Sequence, residues 1–258
     1  NGEFSEAIKV LMEAKNIAPD NPSSYVHLGN AFRDYGDMEA SISNLKKALS
    51  LTTDVAPIHY NIGITLSISG EFQSAIESFR KAIDVNPNFA EAHNNLGLAL
   101  SDIGEMELAT DHYKKAVQLK PNFYQVYWNL YNASNSLEEA QKWIDACLRV
   151  NRHDKQANLT SVALKAYKDK ETNLSLLNDP GFMKHSLARS IKWVFNLPTL
   201  PRLFFHRWAL FDYVVEKSIK ERPFYEFGVW RGIAFKQLIK SYNKGFGFDT
   251  FIGLPEQW

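Results

Sequence analysis

The residues with the clearest chemical potential lie near the carboxyl end of the 258-residue sequence. Gly228 and Gly232 frame a short turn, and Asp249 follows further along. Glycines allow the backbone to approach a ligand closely, and a carboxylate can accept hydrogen bonds from both hydroxyls of a ribose. Because a glycine turn followed by an acid about 20 residues later is typical of nucleotide sites, this stretch predicts a site for an adenosine-containing ligand.

The surrounding pattern indicates which elements would hold these residues. Phe224–Phe227 has strand propensity, Ile233–Tyr242 carries apolar residues at helical spacing, and Phe246–Phe248 is a second short strand that ends at Asp249. A strand, a glycine turn, a helix, a second strand and an acid form the opening half of a nucleotide-binding α/β domain. The alternative is that the glycines only form a loop and Asp249 only caps a strand.

The order of the glycines separates this stretch from dinucleotide sites. It reads Glu226-x-Gly228-x-x-x-Gly232, whereas a pyrophosphate-binding turn reads G-x-G-x-x-G. The run Glu-Phe-Gly-Val-Trp-Arg-Gly, followed by Gly-Phe-Asp-Thr-Phe-Ile-Gly-Leu-Pro-Glu, closely resembles the opening of the macrocin O-methyltransferase family. Members of that family are class I S-adenosylmethionine-dependent methyltransferases. The resemblance covers about Arg222–Trp258.

This resemblance implies S-adenosylmethionine as cofactor and a hydroxyl group of a small molecule as methyl acceptor. Glu226, Gly228 and Gly232 would shape the pocket for the methionine part, and Asp249 would hold the ribose. The implied cofactor site comprises Glu226, Phe227, Gly228, Gly232, Asp249 and Thr250. The metal-binding acids and the general base of that family lie further along, so no catalytic residue is nominated. A divalent metal would bind only through residues beyond this chain.

A second pattern covers Asn21–Pro121, where the same residue types return at a fixed interval. Apolar residues fall at three- and four-residue spacings, and a turn signal breaks each unit near its middle. Each unit is therefore predicted to be two helices that bury their apolar faces only by stacking on other units. The pattern resembles the tetratricopeptide repeat, a helix pair of about 34 residues. The recurring positions are Gly29, Gly63 and Gly97; Gly36, Gly70 and Gly104; and Ala48, Ala82 and Ala116.

The sequence also predicts where each repeat unit begins and ends. Asn1–Asp20 reads as the end of a unit whose first helix is missing, so the sequence is expected to be a piece of a longer protein. Later units are expected at Pro22–Val55, Ala56–Phe89, Ala90–Phe123 and, shortened, Tyr124–His153, with a capping helix at Asn158–Tyr167.

Three asparagines recur at the interval of the repeat, on the first helix of successive units: Asn61, Asn95 and Asn129. Amide side chains both donate and accept hydrogen bonds, so a ladder of them could hold the backbone of an extended peptide. Similar ladders occur in the repeats of the O-linked N-acetylglucosamine transferase family, which these units also resemble. The alternative is that asparagine only supports the helix pair at this position.

His59 and His93 also recur at the interval of the repeat, and Cys147 stands where other units have a small buried alanine. No third ligand is in register with the histidines, so packing is favoured over metal binding and no metal site is predicted. A thiol in an apolar slot is a poor nucleophile because burial raises its pKa.

The repeat ends before Lys168, which divides the chain into predicted domains. We expect a repeat superhelix with its capping helix at 1–167, a linker and aromatic-rich segment at 168–208, and the start of a methyltransferase domain at 209–258. Asn178–Gly181 is a turn signal that we take as a domain boundary. For the aromatic run Met183–Trp208, packing against the following domain is favoured over a membrane-surface role, because two prolines interrupt it and its cations leave no clean polar face.

The composition excludes some classes of partner. Lys+Arg and Asp+Glu both total 29, so the net charge gives no reason to expect nucleic acid or an anionic membrane as a partner. A single cysteine fits a reducing compartment, and the expected location is cytoplasmic.

The sequence thus predicts a mainly α protein: a tetratricopeptide-repeat superhelix followed by the first β-α-β portion of a truncated Rossmann-like α/β methyltransferase domain. Its predicted function is S-adenosylmethionine-dependent O-methylation. The alternative is a repeat scaffold that binds a protein or peptide and has no catalytic activity. The Glu226–Asp249 motif pair does not favour a third possibility, a repeat-bearing glycosyltransferase.

Overall fold

The computed structural model of the chain describes residues 2–169, 172–196, 216, 224–227 and 245–248. Contacts divide the chain into two compact units, Asn1–Pro121 and Asn122–Trp258. Each unit is built mainly from helices in its described residues. The helices of the first unit are α1 (Gly2–Ile17), α2 (Pro22–Tyr35), α3 (Met38–Leu49), α4 (Ala56–Ile68), α5 (Phe72–Val85), α6 (Ala90–Asp102) and α7 (Met106–Leu119).

The starts and ends of these helices follow from local side chains. Asn21 accepts a hydrogen bond from the backbone N–H of Ser23 at 3.0 Å, and Asp37 accepts one from Ala40 at 2.9 Å. Each cap satisfies an N–H that lacks a partner within its own helix. The turn inside each pair contains a glycine with positive φ, a conformation that glycine adopts at little cost. The three are Gly36 (101°), Gly70 (80°) and Gly104 (92°).

A second set of glycines lets the two helices of each pair approach closely. A Cβ atom on Gly63 would lie 2.5 Å from Cε1 of Phe79, and one on Gly97 would lie 2.6 Å from Cε1 of Tyr113. On Gly29 it would lie 2.7 Å from Cγ of Leu45. These ring and branched side chains are almost fully buried, so each fills the space that the missing Cβ leaves.

Successive pairs of the first unit stack mainly through the second helix of one pair and the first helix of the next, α3 on α4 and α5 on α6, and the first helices α2, α4 and α6 also contact one another in turn. Buried side chains such as Leu28, Ile62 and Leu96 recur along these helices at the period of the repeat. The hydroxyls of Ser41 and Thr65 lie 3.1 Å apart in a buried hydrogen bond between adjacent pairs. The repeated apolar positions therefore supply buried side chains to every helix pair of the first unit from α2 to α7.

The second unit continues with helices of different lengths. They are α8 (Tyr124–Asn132), α9 (Leu137–Val150), α10 (Lys155–Lys168), a 3-10 turn (Ser175–Asn178), α11 (Pro180–Met183) and α12 (Ser186–Phe195). Leu159 of α10, Leu177 of the 3-10 turn, and Ala188 and Ile191 of α12 form one buried cluster. Packing therefore continues from α10 through the short turns into α12.

Two short strands lie further along the second unit, β1 (Phe224–Phe227) and β2 (Gly245–Phe248). They pair in parallel, with Phe224 opposite Gly245 and Phe227 opposite Phe248. The helix predicted between them lies outside the described residues.

The helical repeat was predicted correctly, and some local predictions need correction. The capping helix spans Lys155–Lys168 because Asp154 caps it at the backbone N–H of Ala157. Asn178–Gly181 was predicted as a turn, but Pro180 begins the short helix α11 because Asp179 accepts a hydrogen bond from Gly181 N–H at 2.7 Å. In the part of the aromatic segment that the structure describes, α12 packs against the preceding α10. The three-domain division stays a prediction.

Gly63→Ala tests the close approach of α4 and α5. Its new methyl would overlap the buried Phe79 ring, and overpacking of this kind costs about 1–3 kcal/mol, offset by about 1 kcal/mol from the better helix propensity of alanine. We expect a net loss in the free energy of unfolding, measured by urea titration.

The double variant Gly63→Ala/Phe79→Leu is the matched control, because the smaller side chain makes room for the methyl. Its loss should be smaller than the sum of the two single losses. Additive losses would show that the ring does not limit the approach of the helices.

Candidate peptide-binding face

A surface formed by α2, α4 and α6 carries hydrogen-bonding groups from adjacent repeats. We call it the first-helix face and define it by Asn30, Arg33, Tyr60, Asn61, Glu91, Asn95 and Leu98, with Ile64 and Ile68. Its central feature is a hydrogen bond of 3.1 Å from the Asn95 Nδ2 to the Tyr60 hydroxyl. This bond joins α6 to α4 across the boundary between two repeats.

Tyr60 is held in place by aromatic neighbours. Its ring lies 4.8 Å from the ring of Phe89 and 6.0 Å from that of Phe79, measured between centroids. Burial raises the pKa of Tyr60, and the negative charge of Glu91 raises it further, whereas the Asn95 bond and Arg33 act in the opposite direction. The phenol therefore stays protonated at neutral pH, and its O–H is still available to donate to a ligand.

The Asn95 amide is fixed at both ends. Its Nδ2 donates to Tyr60, and its Oδ1 accepts from the Nδ2 of the largely buried Asn94 at 3.0 Å. A side-chain amide has two N–H donors and two lone pairs on its oxygen, so one donor and one acceptor remain. The neighbours thus orient Asn95 before any ligand arrives.

The other predicted asparagines differ in their surroundings. Asn61 lies half-buried on α4, where its backbone carbonyl accepts a 3.0 Å bond from the Thr65 hydroxyl. Asn129 is half-buried on α8 in the second unit. In the repeat before Asn61, the same position is held by the exposed His27. The structure therefore brings Asn95 into a bonded network, and the role of the other two stays a prediction.

The charged groups of the first-helix face are paired within the protein. Arg33, whose side chain is 14% exposed, bonds to Asp34 Oδ1 at 3.2 Å and to Asn30 Oδ1 at 3.0 Å. Glu91 pairs with Lys120 at 2.7 Å, and this bond is the main cause that lowers the pKa of Glu91. Sequence reasoning missed Arg33 and Tyr60, because neither residue type recurs at the period of the repeat.

Of the three remaining polar candidates, His59 is half-buried on α4, and the contacts and burial of His93 and Cys147 indicate structural roles. His93 is buried, with its Nε2 3.1 Å from the Pro87 carbonyl oxygen and its Nδ1 3.1 Å from Nδ1 of His112. Burial raises the pKa of Cys147 to about 12, which makes its thiol inert at neutral pH. Within the described ranges, no cluster of three metal-ligating side chains is found.

Most of the implied cofactor site falls outside the described residues, namely Gly228, Gly232, Asp249 and Thr250. Glu226 and Phe227 lie in β1, opposite Gly247 and Phe248 of β2. The role of all six residues as cofactor contacts stays a prediction.

Comparison with protein families identifies the repeats. Models described as tetratricopeptide repeats match residues 22–54 and 90–123, and a model described as a TPR repeat matches residues 68–104. The chain contains tetratricopeptide repeats. Search of curated proteins gives no match. The helices of the described part include none that is long and apolar enough to cross a membrane.

Solved structures support the same repeat fold. A crystal structure of MamA is 28% identical, with a TM-score of 0.53 over 60% of this chain and 92% of that one. YrrB, described as a TPR protein with an unusual peptide-binding site, is 21% identical, with a TM-score of 0.57 over 72% and 100% of the two chains. PilF of Pseudomonas aeruginosa is 18% identical, with a TM-score of 0.61 over 74% and 90%.

The histidine pair predicts that acid destabilises the first unit. A carbonyl only accepts, so His93 donates from Nε2, and His112 must donate from Nδ1 to the unprotonated Nδ1 of His93. Burial lowers the pKa of both rings. Arg80 and Lys115 lower these pKa values further, whereas the Pro87 carbonyl and Asp111 oppose the shift. The unfolded chain therefore binds more protons below about pH 6.5, and the free energy of unfolding should fall there.

Urea titrations near pH 7.5 and pH 5.5 measure this loss. His112→Gln should reduce the pH dependence without removing it, because burial also lowers the pKa of His59. His27→Gln, on an exposed position of α2, is the matched control and should leave the dependence unchanged. An unaltered dependence in His112→Gln would contradict the prediction.

Proposed function

We propose that the repeats bind an extended peptide segment of another protein along the first-helix face. The observation that carries this proposal is the Tyr60–Asn95 hydrogen bond, which fixes an amide between two adjacent repeats. Such an amide can donate to a peptide carbonyl and accept from a peptide N–H at once. Because these peptide groups are present in every sequence, the contacts would give affinity without strong selection among side chains.

Preorganisation supports the same proposal. The Tyr60 ring packs against Phe89, and Asn94 holds the oxygen of Asn95, so neither group must lose much rotamer freedom on binding. YrrB, a protein of similar fold, is described as having a peptide-binding site. In the present chain, Asn61 stands at the position equivalent to Asn95 in the preceding repeat and would extend the contact to a further peptide group.

The test begins with peptides selected from a random display library on the immobilised chain, whose affinities are then measured by fluorescence anisotropy. Asn95→Ala should weaken binding about 5- to 150-fold, because it removes two intermolecular hydrogen bonds that contribute about 0.5–1.5 kcal/mol each. Tyr60→Phe should also weaken it, because Asn95 loses the acceptor that orients its amide.

Asn44→Ala is the matched control for both variants, since Asn44 is a half-buried asparagine on the second helix of a pair. Its affinity should stay at the wild-type level. Equal weakening in all three variants would indicate general destabilisation, and an unchanged affinity in all three would place the bound peptide elsewhere.

We also propose that the C-terminal part binds S-adenosylmethionine as the start of an O-methyltransferase domain. The parallel pairing of β1 and β2 favours this second function, because the strands end side by side at Phe227 and Phe248. The sequence continues from these ends with Gly228 and Asp249. In α/β domains of this kind, ligands bind at the carboxyl ends of the strands.

Calorimetric titration of S-adenosylhomocysteine tests this second function, with this chain and with any longer natural product of its gene. Asp249→Ala should abolish the heat of binding, because the carboxylate is proposed to hold both ribose hydroxyls. Asp111→Ala, which changes an exposed acid in the repeats, should leave it unchanged. Failure of the longest natural form to bind would reject the cofactor proposal and leave the peptide proposal intact.

A further inference from the structure

The charges of the first-helix face leave little for a charged ligand to bind. Arg33 is mostly buried and already contacts Asp34 and Asn30. A guanidinium has five N–H donors, of which Asp34 and Asn30 use two, so a ligand carboxylate could reach the others but would lie beside the negative charge of Asp34. Glu91 is likewise engaged by Lys120 at 2.7 Å. Arg33 and Glu91 are therefore each paired with an opposite charge before a partner binds.

Aliphatic side chains stand beside the amides of the same face. Leu98 is 41% exposed and follows Asn95 on α6 by less than one helical turn. Ile68 is 44% exposed, and Ile64, one turn earlier on α4, is half-buried. Ile64 and Leu98 occupy the same position of adjacent repeats. Exposed aliphatic groups thus recur together with the hydrogen-bonding groups.

The spacing of these features matches an extended chain. Side chains two residues apart in an extended peptide lie about 6–7 Å from each other and those three residues apart about 10 Å, and the distance of about 8–10 Å between packed helices falls between these values. Two aliphatic side chains of a peptide can therefore contact Leu98 on α6 and Ile64 on α4. A backbone amide between them can then reach Asn95.

We infer that the partner of the first-helix face is an uncharged peptide segment with aliphatic side chains at alternate or near-alternate positions. The inference rests on the proposed peptide-binding function and adds the chemical class of the peptide. Burial of leucine or isoleucine against Leu98, Ile64 and Ile68 supplies affinity through the hydrophobic effect. Because Arg33 and Glu91 already have partners of opposite charge, acidic or basic segments would lose hydration for little gain in charge pairing.

The test uses the random peptide display library on the full chain and reads the composition of the selected sequences. Leucine, isoleucine and valine should be enriched, and aspartate, glutamate, lysine and arginine should be depleted. The affinity of a selected peptide should change little between low and high salt, because screening acts on charge–charge attraction and not on apolar contact.

Leu98→Asp should weaken the selected apolar peptides by about tenfold or more, since a buried charge without a partner is costly. Leu108→Asp is the matched control, because Leu108 is similarly exposed, at 46%, but lies on α7, a second helix. Its affinity should remain within the error of the wild type, and circular dichroism should show both variants to be folded.

The outcomes of these experiments distinguish the proposed peptide-binding function from the inference about the chemistry of the peptide. Selection of acidic peptides that bind through Arg33 and weaken with salt would overturn the inference while peptide binding itself survives. Self-association of the chain that Leu98→Asp abolishes would make a second copy the occupant, and would also overturn it. If the library yields no binder that Asn95→Ala weakens, the proposed function falls as well.

Discussion

The distance between the two helices of each pair is the constraint on which the rest of the first unit depends. Gly29, Gly63 and Gly97 set it, because a Cβ at any of them would lie too close to the Leu45, Phe79 or Tyr113 side chain. Close pairing buries those side chains, and burial of the pairs against each other makes the stack. The relative positions of the groups on the first-helix face depend on this stack, because the groups belong to different repeats.

The Tyr60–Asn95 bond illustrates how the packing of the repeats determines the geometry of the first-helix face. Tyr60 and Asn95 belong to adjacent repeats, so the bond forms only when α4 and α6 lie at the spacing of the stack. Phe79 contributes both to the packing inside its helix pair and to the first-helix face, because its ring fills the space beside Gly63 and also lies against Tyr60. A change in the core of one pair would therefore also move a group on the face.

The periodic part of the fold could be predicted from the sequence because its physical cause is itself periodic. Apolar and glycine positions recur at one fixed interval, and the helix pairs lie at the places in the sequence that these positions predict. The network of the face could not be predicted in the same way. Arg33, Tyr60 and Glu91 interact through space without recurring, and His112 meets His93 from a position with no counterpart in register. For Gly228 and Asp249 the evidence remains a sequence resemblance and a parallel strand pair.

Positions that differ from one repeat to the next can provide specificity for a partner. Positions shared by the three helix pairs from α2 to α7, such as the glycines of the close contact, serve the stack and cannot distinguish one partner from another. The same face position carries Asn30 in α2, Ile64 in α4 and Leu98 in α6, so polarity changes along the face from one repeat to the next. Since Asn30 is engaged with Arg33, the aliphatic character is concentrated on α4 and α6. In the proposed binding mode, a partner would be recognised through its backbone groups at Asn61 and Asn95 and through apolar contact at these variable positions.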